Sequence, residues 1–303
     1  MFDVIVVGGG VAGLSSALVL GRSRRRTLVL DAGQPRNAPS AAAHSIFTRD
    51  GAPPTELLTI GRDQLRPYPS VQFQLSTAVD AQVVRDGFEV SVSGDGSVRS
   101  RKLLLAYGVI DELPQIGGME ELWGKSVLHC PYCHGWEVRD EPLALYGRGQ
   151  TGVELAQLLL GWSHDLVLCT DGPAELTDKQ RAQLARHQIP VIEKPISHLE
   201  GAKGVLERIC FTNGSNLSRR AMFLRPTQRQ RSDLAARLGC EQAELGLIRT
   251  DEWGQTSVSG VYAAGDATTP VQKVIRAAAS GATAAIGINR SLLAENFGGL
   301  SSD

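Results

Sequence analysis

The chain of 303 residues exceeds the roughly 150 residues usual for one domain, so two separate cores are expected. Its 31 Lys and Arg against 32 Asp and Glu leave a net charge of -1, which removes the electrostatic case for binding nucleic acid or an anionic membrane. The longest apolar runs, Val153 to Leu160 and Ala277 to Ile288, fall short of the ~20 residues that cross a bilayer, so no membrane-spanning segment is expected.

The first element is a continuous apolar strand, Phe2 to Val7, followed directly by Gly8-x-Gly10-x-x-Gly13 and a helical stretch from Val11 to Leu20. Strand, glycine turn and helix in that order let the backbone approach a pyrophosphate, which rests on the free N–H groups at the helix start. A second strand, Thr27 to Leu30, ends at Asp31, a carboxylate suited to a ribose. Because a strand already begins at Phe2, no cleavable leader is expected and the protein is expected to be cytoplasmic. Arg22, Arg24, Arg25 and Arg26 between helix and strand read as a solvated loop.

Residues 129 to 137 read His-Cys-Pro-Tyr-Cys-His-Gly-Trp-Glu. Two thiols two residues apart at a helix start favour a thiolate, the species that attacks a disulfide, with the partner thiol resolving the mixed disulfide. The competing reading of Cys130 and Cys133 is half of a zinc site, but Cys169, Cys210 and Cys240 stand alone in sequence and offer no second ligand pair. No metal is expected, and those three cysteines read as small buried apolar residues.

The dinucleotide pattern then recurs. Leu143 to Tyr146 leads into Gly147-x-Gly149-x-x-Gly152, a helix from about Val153 to Leu160 and a strand from Asp165 to Leu168. Near the end, Gly260 to Asp266 forms an apolar strand closing in Gly-Asp, followed by an alanine-rich helix from about Val271 to Ile288.

Taken together, the two glycine motifs, Ala106-Tyr107-Gly108, the Cys130/Cys133 pair and Gly260-Val-Tyr-Ala-Ala-Gly-Asp266 resemble the low-molecular-weight thioredoxin reductase family over nearly the whole chain. The resemblance implies an α/β fold of two Rossmann-like, three-layer dinucleotide-binding domains, the second inserted in the first. Residues 1–114 and 246–303 then form the FAD domain, and 115–245 a pyridine-nucleotide-like domain carrying the cysteines. It implies a homodimer, with FAD held by Gly8, Gly10, Gly13 and Asp31 on the ADP side. The same likeness assigns Gly265, Asp266, Gln272, Lys273 and Val274 to the flavin side, and the loops holding Arg36, Asn37 and Asp50 to flavin contacts. Ordinary turn chemistry is the alternative reading of those loops. Cys133 is implied to face the flavin, with Cys130 exchanging with substrate. Tyr107, where the family has Thr, falls beside the flavin or at the dimer interface.

Two departures matter. The reductases carry an Asp after the second cysteine, whereas Cys-Pro-Tyr-Cys-His resembles the branch of dithiol oxidases that close disulfides in gliotoxin-type and holomycin-type metabolites. An imidazole takes a proton from an incoming thiol at neutral pH better than an ionised carboxylate does, which makes His134 the candidate base. His129 reads as structural, and the remaining histidines have no catalytic neighbours in sequence. The family's arginine clamp for a 2′-phosphate falls here on Thr170, Asp171, Gly172 and Leu176, so NADPH is not expected as a donor. Gly147, Gly149, Gly152 and Asp171 leave room for a nucleotide with a free 2′-hydroxyl, NAD or a second FAD.

The favoured expectation is an FAD-dependent dithiol oxidase acting on a small dithiol. One alternative is a thioredoxin reductase acting on a thioredoxin-like protein and fed by ferredoxin, NADH or a second flavin. The other is a non-enzymatic flavin redox sensor.

Overall fold

The protein is described from a computed structural model over residues 1–94 and 96–298. The chain folds into two compact units. The first comprises residues 1–38, 52–110 and 228–303, and the second residues 39–51 and 111–227.

Among the described residues of the first unit, Val71–Leu75, Thr27–Asp31, Phe2–Val7 and Gly96–Leu105 lie side by side in that order, all parallel. Gly87–Val92 and Ala78–Val84 extend the sheet antiparallel, and Val261–Ala263 pairs parallel with Gly96–Leu105. A parallel strand covered on both faces has no solvent side, which is why Phe2–Val7 and Thr27–Asp31 read as unbroken apolar runs. Their alternate residues feed two different cores. Val4 and Val6 pack under the helices Val11–Arg22 and Val274–Phe297 with Ala17, Leu20, Ala284 and Ile288. Ile5 and Val7 turn the other way, onto Phe88, Val90, Leu105 and Val261.

The boundary between the units lies at 228 rather than 246. Leu234, Ala235 and Cys240 explain the shift, because they bury in the same core as Ile5 and Val90. The long last helix also starts at Val274, not near Val271, since Lys273 before it is extended (φ -135°, ψ 145°).

In the second unit, Val191–Ile192, Leu166–Cys169, Leu143–Tyr146, Ala221–Leu224 and Val127–Leu128 form a parallel sheet in that order. Its inward alternation is again twofold. Leu143, Leu145, Leu166, Leu168 and Phe223 meet Val153, Leu155 and Leu159 of the helix Gly149–Leu159. Ala144, Val167, Met222 and Leu224 meet Leu199, Leu206 and Ile209 of an antiparallel three-stranded layer, Ile196–Ala202, Val205–Phe211 and Asn216–Ser218. The helix begins at Gly149, four residues earlier than expected, and Gly149 itself is left-handed (φ +49°), a conformation that favours glycine. Both units are therefore Rossmann-like layers, in agreement with the fold class read from the sequence.

Candidate functional site

The first glycine turn is built for close approach. Gly8 has φ +109°, a conformation that disfavours any side chain, and a Cβ on Gly13 would sit 1.8 Å from the Gly8 carbonyl oxygen. Gly10 differs: a Cβ there would meet nothing within 4 Å, so the space over it is open. The helix Val11–Arg22 that starts there has neither a side-chain cap nor an acidic residue in its first turn, leaving its N–H groups for an anion. Asp31, 9% exposed, closes the adjoining strand. It accepts from the Gly33 N–H at 3.2 Å and pairs with Arg62 at 3.2 Å.

A second group of polar side chains gathers in the same unit. The Arg36 guanidinium donates to Asp266 Oδ2 at 2.9 Å and to Gln272 Oε1 at 2.6 Å, and Gln272 exchanges hydrogen bonds with Gln228. Gly265, at φ +78°, turns the chain just before Asp266, and its N–H is held by Ser280 Oγ at 3.0 Å. Lys273 caps the start of the last helix, with Val274 its first residue, and burial pushes the Lys273 ammonium pKa down. Asn37 is half-buried in the turn after Arg36. The open space over Gly10, the uncapped helix start and this polar cluster fit the two halves of FAD. Asp50, by contrast, belongs to the second unit. Its carboxylate accepts from the Ser45 N–H at 2.5 Å and lies 3.6 Å from His44 Nδ1. The Ser45 N–H and His44 lower its pKa against the opposing effect of burial. Tyr107 is a core residue of the first unit, and burial pushes its phenol pKa up.

Cys130 and Cys133 are joined as a disulfide, with Cα atoms 5.3 Å apart. Cys130 is the extended residue before the helix Pro131–His134, whose turn is closed by Cys133 and His134 N–H groups on the Cys130 carbonyl at 3.1 Å. That helix is one turn long, so its aligned dipole is small, and little thiolate stabilisation comes from it. Hydrogen-bonding and titratable side chains gather beside the turn. His134 Nε2 lies 2.9 Å from Ser40 Oγ, whose hydroxyl also contacts the Ala42 carbonyl at 2.7 Å. His44 stands edge-on to His134, ring centres 6.3 Å apart, between Asp50 and Glu137, the latter 3.4 Å from its Nε2. Ser45 Oγ donates to the Tyr132 carbonyl at 3.2 Å. The 39–51 segment thus brings Ser40, His44 and Asp50 to the cysteine turn. No local signal announces Ser40 or His44, Ser40 being 94 residues from His134, and Asp50, expected at the flavin, belongs to this group instead. His129 stacks on Trp123, ring centres 5.7 Å apart, a packing role.

The second glycine turn is closed by the chain itself. The Gly149 N–H donates to the Ala174 carbonyl at 2.8 Å, and a Cβ on Gly149 would lie 3.3 Å from the Glu175 carbonyl oxygen. Arg148, inside the glycine motif, bends back over the loop. Its Nε donates to the Thr170 carbonyl at 2.7 Å, Nη2 to the Asp171 carbonyl, and Nη1 lies 3.7 Å from Glu175. Asp171 is turned inward, with Oδ1 accepting from the Ile196 N–H at 2.7 Å and Oδ2 from the Tyr146 hydroxyl at 3.3 Å. Gly147 and Gly152 retain the close packing of the motif, 3.3 Å from a Gly147 Cβ to Gly152. Sequence reasoning missed Arg148, whose only signal is its place between Gly147 and Gly149.

Of the single cysteines, Cys169 and Cys240 are buried, and burial pushes Cys169 up to about 12. Cys210 is half-exposed instead, beside His198 and Glu200 on the antiparallel layer. Arg208 forks onto Glu200 at 2.6 and 2.9 Å there, so the carboxylate already has a cationic partner.

Residues 2–282 match the family described as pyridine nucleotide-disulphide oxidoreductase. Thioredoxin reductase sirT of Leptosphaeria maculans is 30% identical over 306 residues, 95% of this chain and 94% of that protein. The crystal structure of HlmI is 40% identical with a TM-score of 0.92, covering 97% of this chain and 93% of that one. An oxidoreductase from Agrobacterium tumefaciens is 34% identical with a TM-score of 0.89, covering 96% and 98%.

Proposed function

Because this chain belongs to the pyridine nucleotide-disulphide oxidoreductase family and is an FAD-dependent disulfide oxidoreductase of thioredoxin reductase type, we propose that it works without a nicotinamide donor. Electrons pass between a small substrate dithiol, the Cys130–Cys133 pair and FAD. The observation that carries this reading is the self-closed second glycine turn. An incoming pyrophosphate would compete with Ala174 for the Gly149 N–H and with Thr170 and Asp171 for Arg148. A 2′-phosphate would also find no arginine fork at residues 170 to 172.

The favoured direction is dithiol oxidation. His134 takes the proton of the first substrate thiol, whose thiolate attacks Cys130 Sγ and displaces Cys133 as thiolate. The second substrate thiol gives its proton to the Cys133 thiolate, and the thiolate so formed attacks the substrate sulfur of the mixed disulfide and displaces Cys130. The substrate leaves as a disulfide, two electrons and two protons poorer, and the pair is left reduced. FAD, held by Gly8, Gly10, Gly13, Asp31, Arg36 and Asp266, would supply a two-electron acceptor for returning the pair to the disulfide, and oxygen, reduced to hydrogen peroxide, would be the terminal oxidant. The name thioredoxin reductase borne by the sirT relative favours a second reading, the reverse flow to a thioredoxin-like protein from another donor such as ferredoxin.

The test is anaerobic mixing of the oxidised holoenzyme with NADPH, NADH and a small dithiol in turn. Bleaching of the flavin absorbance by the dithiol, but by neither nucleotide, is expected. Bleaching by NADPH at the rate of thioredoxin turnover overturns the reading. Photoreduced enzyme mixed separately with oxygen and with oxidised thioredoxin fixes the direction.

A further inference from the structure

A hydroxyl carries one proton, and in Ser40 that proton has two claimants. Its oxygen lies 2.7 Å from the Ala42 carbonyl and 2.9 Å from His134 Nε2. A carbonyl oxygen only accepts, so an O···O separation of 2.7 Å is favourable when the Ser40 hydroxyl points its proton at Ala42. The oxygen then has only lone pairs to offer His134, and a nitrogen at 2.9 Å from it must bring its own hydrogen. The opposite assignment leaves two oxygens in contact with no proton between them.

We infer that Ser40 is a positioning residue for His134: it fixes the neutral imidazole with its hydrogen on Nε2 and its basic lone pair on Nδ1. The inference rests on the base role proposed for His134 but concerns a distinct property, the tautomer. A neutral imidazole that carries its hydrogen on the wrong nitrogen presents a donor where an acceptor is needed, and proton removal from a thiol fails for that fraction of the protein. Ser40 also resists rotation of the ring, since a flipped ring would place a carbon against its oxygen. The hydroxyl is itself held by the Ala42 carbonyl, two residues on in the same segment. His44, with Asp50 3.6 Å from its Nδ1 and Glu137 3.4 Å from its Nε2, stands edge-on to the His134 ring.

Nitrogen-15 NMR of the oxidised holoenzyme labelled at histidine reads the tautomer directly, with His134→Gln identifying the resonances. Above the titration of the ring, His134 is expected to show a protonated Nε2 and a bare Nδ1. Ser40→Ala is expected to give a mixture of tautomers, and Ser40→Thr, which keeps the hydroxyl, to restore the wild-type pattern. A wild-type Nε2 without hydrogen overturns the inference, as does an unchanged tautomer in Ser40→Ala; the wild-type arm stands even if a variant fails to fold. Reduction of the Cys130–Cys133 disulfide by dithiothreitol, followed anaerobically against pH, should slow about fivefold in Ser40→Ala near neutral pH, the factor a single hydrogen bond is worth. Ser40→Thr should recover it. A tautomer that shifts in Ser40→Ala while the rate and pH profile stay unchanged supports the positioning assignment and sinks the base role of His134 instead.

Discussion

Gly10 and Gly13 share one motif yet do different work, and substitution separates them. A Cβ on Gly10 meets no protein atom, and its φ of -72° suits any residue. Gly10→Ala is therefore expected to leave thermal stability of the apoprotein within about 0.5 kcal/mol while weakening FAD retention at least tenfold, because the methyl occupies the space for the pyrophosphate. Gly13→Ala drives its methyl into the Gly8 carbonyl and should destabilise the apoprotein itself by about 1–3 kcal/mol. Urea titration of both apoproteins, with fluorescence titration by FAD, distinguishes the two; equal retention of FAD by Gly10→Ala would remove that glycine from the site. A second residue-scale test concerns Lys102, 6% exposed on a central strand and paired with Glu295. Burial raises the Glu295 pKa, the hydrogen bonds from Lys102 and Arg101 outweigh it, and the net shift is downward. A depressed carboxylate pKa contributes stability that is present above the unfolded value and lost as pH falls through the folded one. Glu295→Gln should thus cost about 1–2 kcal/mol at pH 7, a figure reduced by the partial exposure of Glu295, and the difference from wild type should fade as pH falls through the depressed folded pKa. A gap that persists in acid would mean the loss is packing, not charge.

At the scale of elements, the strands and glycine turns were legible because their signals are local. An unbroken apolar run such as Phe2–Val7 followed by Gly8-x-Gly10 fixes strand and turn within a dozen residues. Helix starts were less legible. Gly149 is left-handed (φ +49°) and Lys273 extended at the two starts, backbone conformations that the apolar periodicity does not announce. Least legible was the state of the second glycine turn, since the same letters form an open cradle at Gly10 and a closed one at Gly149. The difference comes from the loop at residues 170 to 175, which the motif does not contain. The pairing of the helices Val11–Arg22 and Val274–Phe297 is also non-local. It depends on Gly281, where a Cβ would fall 2.1 Å from the Ala12 carbonyl oxygen, and on Ser15 Oγ donating to the Ala278 carbonyl at 2.7 Å. Gly281→Leu should push these helices apart, costing about 1–3 kcal/mol by overpacking and lowering the melting temperature measurably. An unchanged melting temperature would show that the crossing is plastic.

For the whole molecule, two copies of a dinucleotide fold imply room for two dinucleotides per chain, yet only the first turn retains its open cradle. Flavin content after gel filtration, measured from the absorbance of released FAD against protein, is expected near one per chain. A ratio near two would mean that a second FAD displaces Ala174 and Arg148 from the Gly149 turn. The candidate site was legible where it is compact in sequence, as in Cys130, Cys133 and His134. It was hidden where the chain returns from elsewhere, as with Ser40 and His44.

That return has a consequence for recombination. The second unit is not a single insertion but two pieces, 39–51 and 111–227, and the smaller is covalently part of a loop within the other unit. Exchanging residues 111–227 between relatives would transplant the cysteines and His134 while leaving their hydroxyl partner behind. A productive graft would carry both pieces, so the cysteine turn and a loop some 90 residues upstream are a single heritable cassette whose substitutions should travel in pairs.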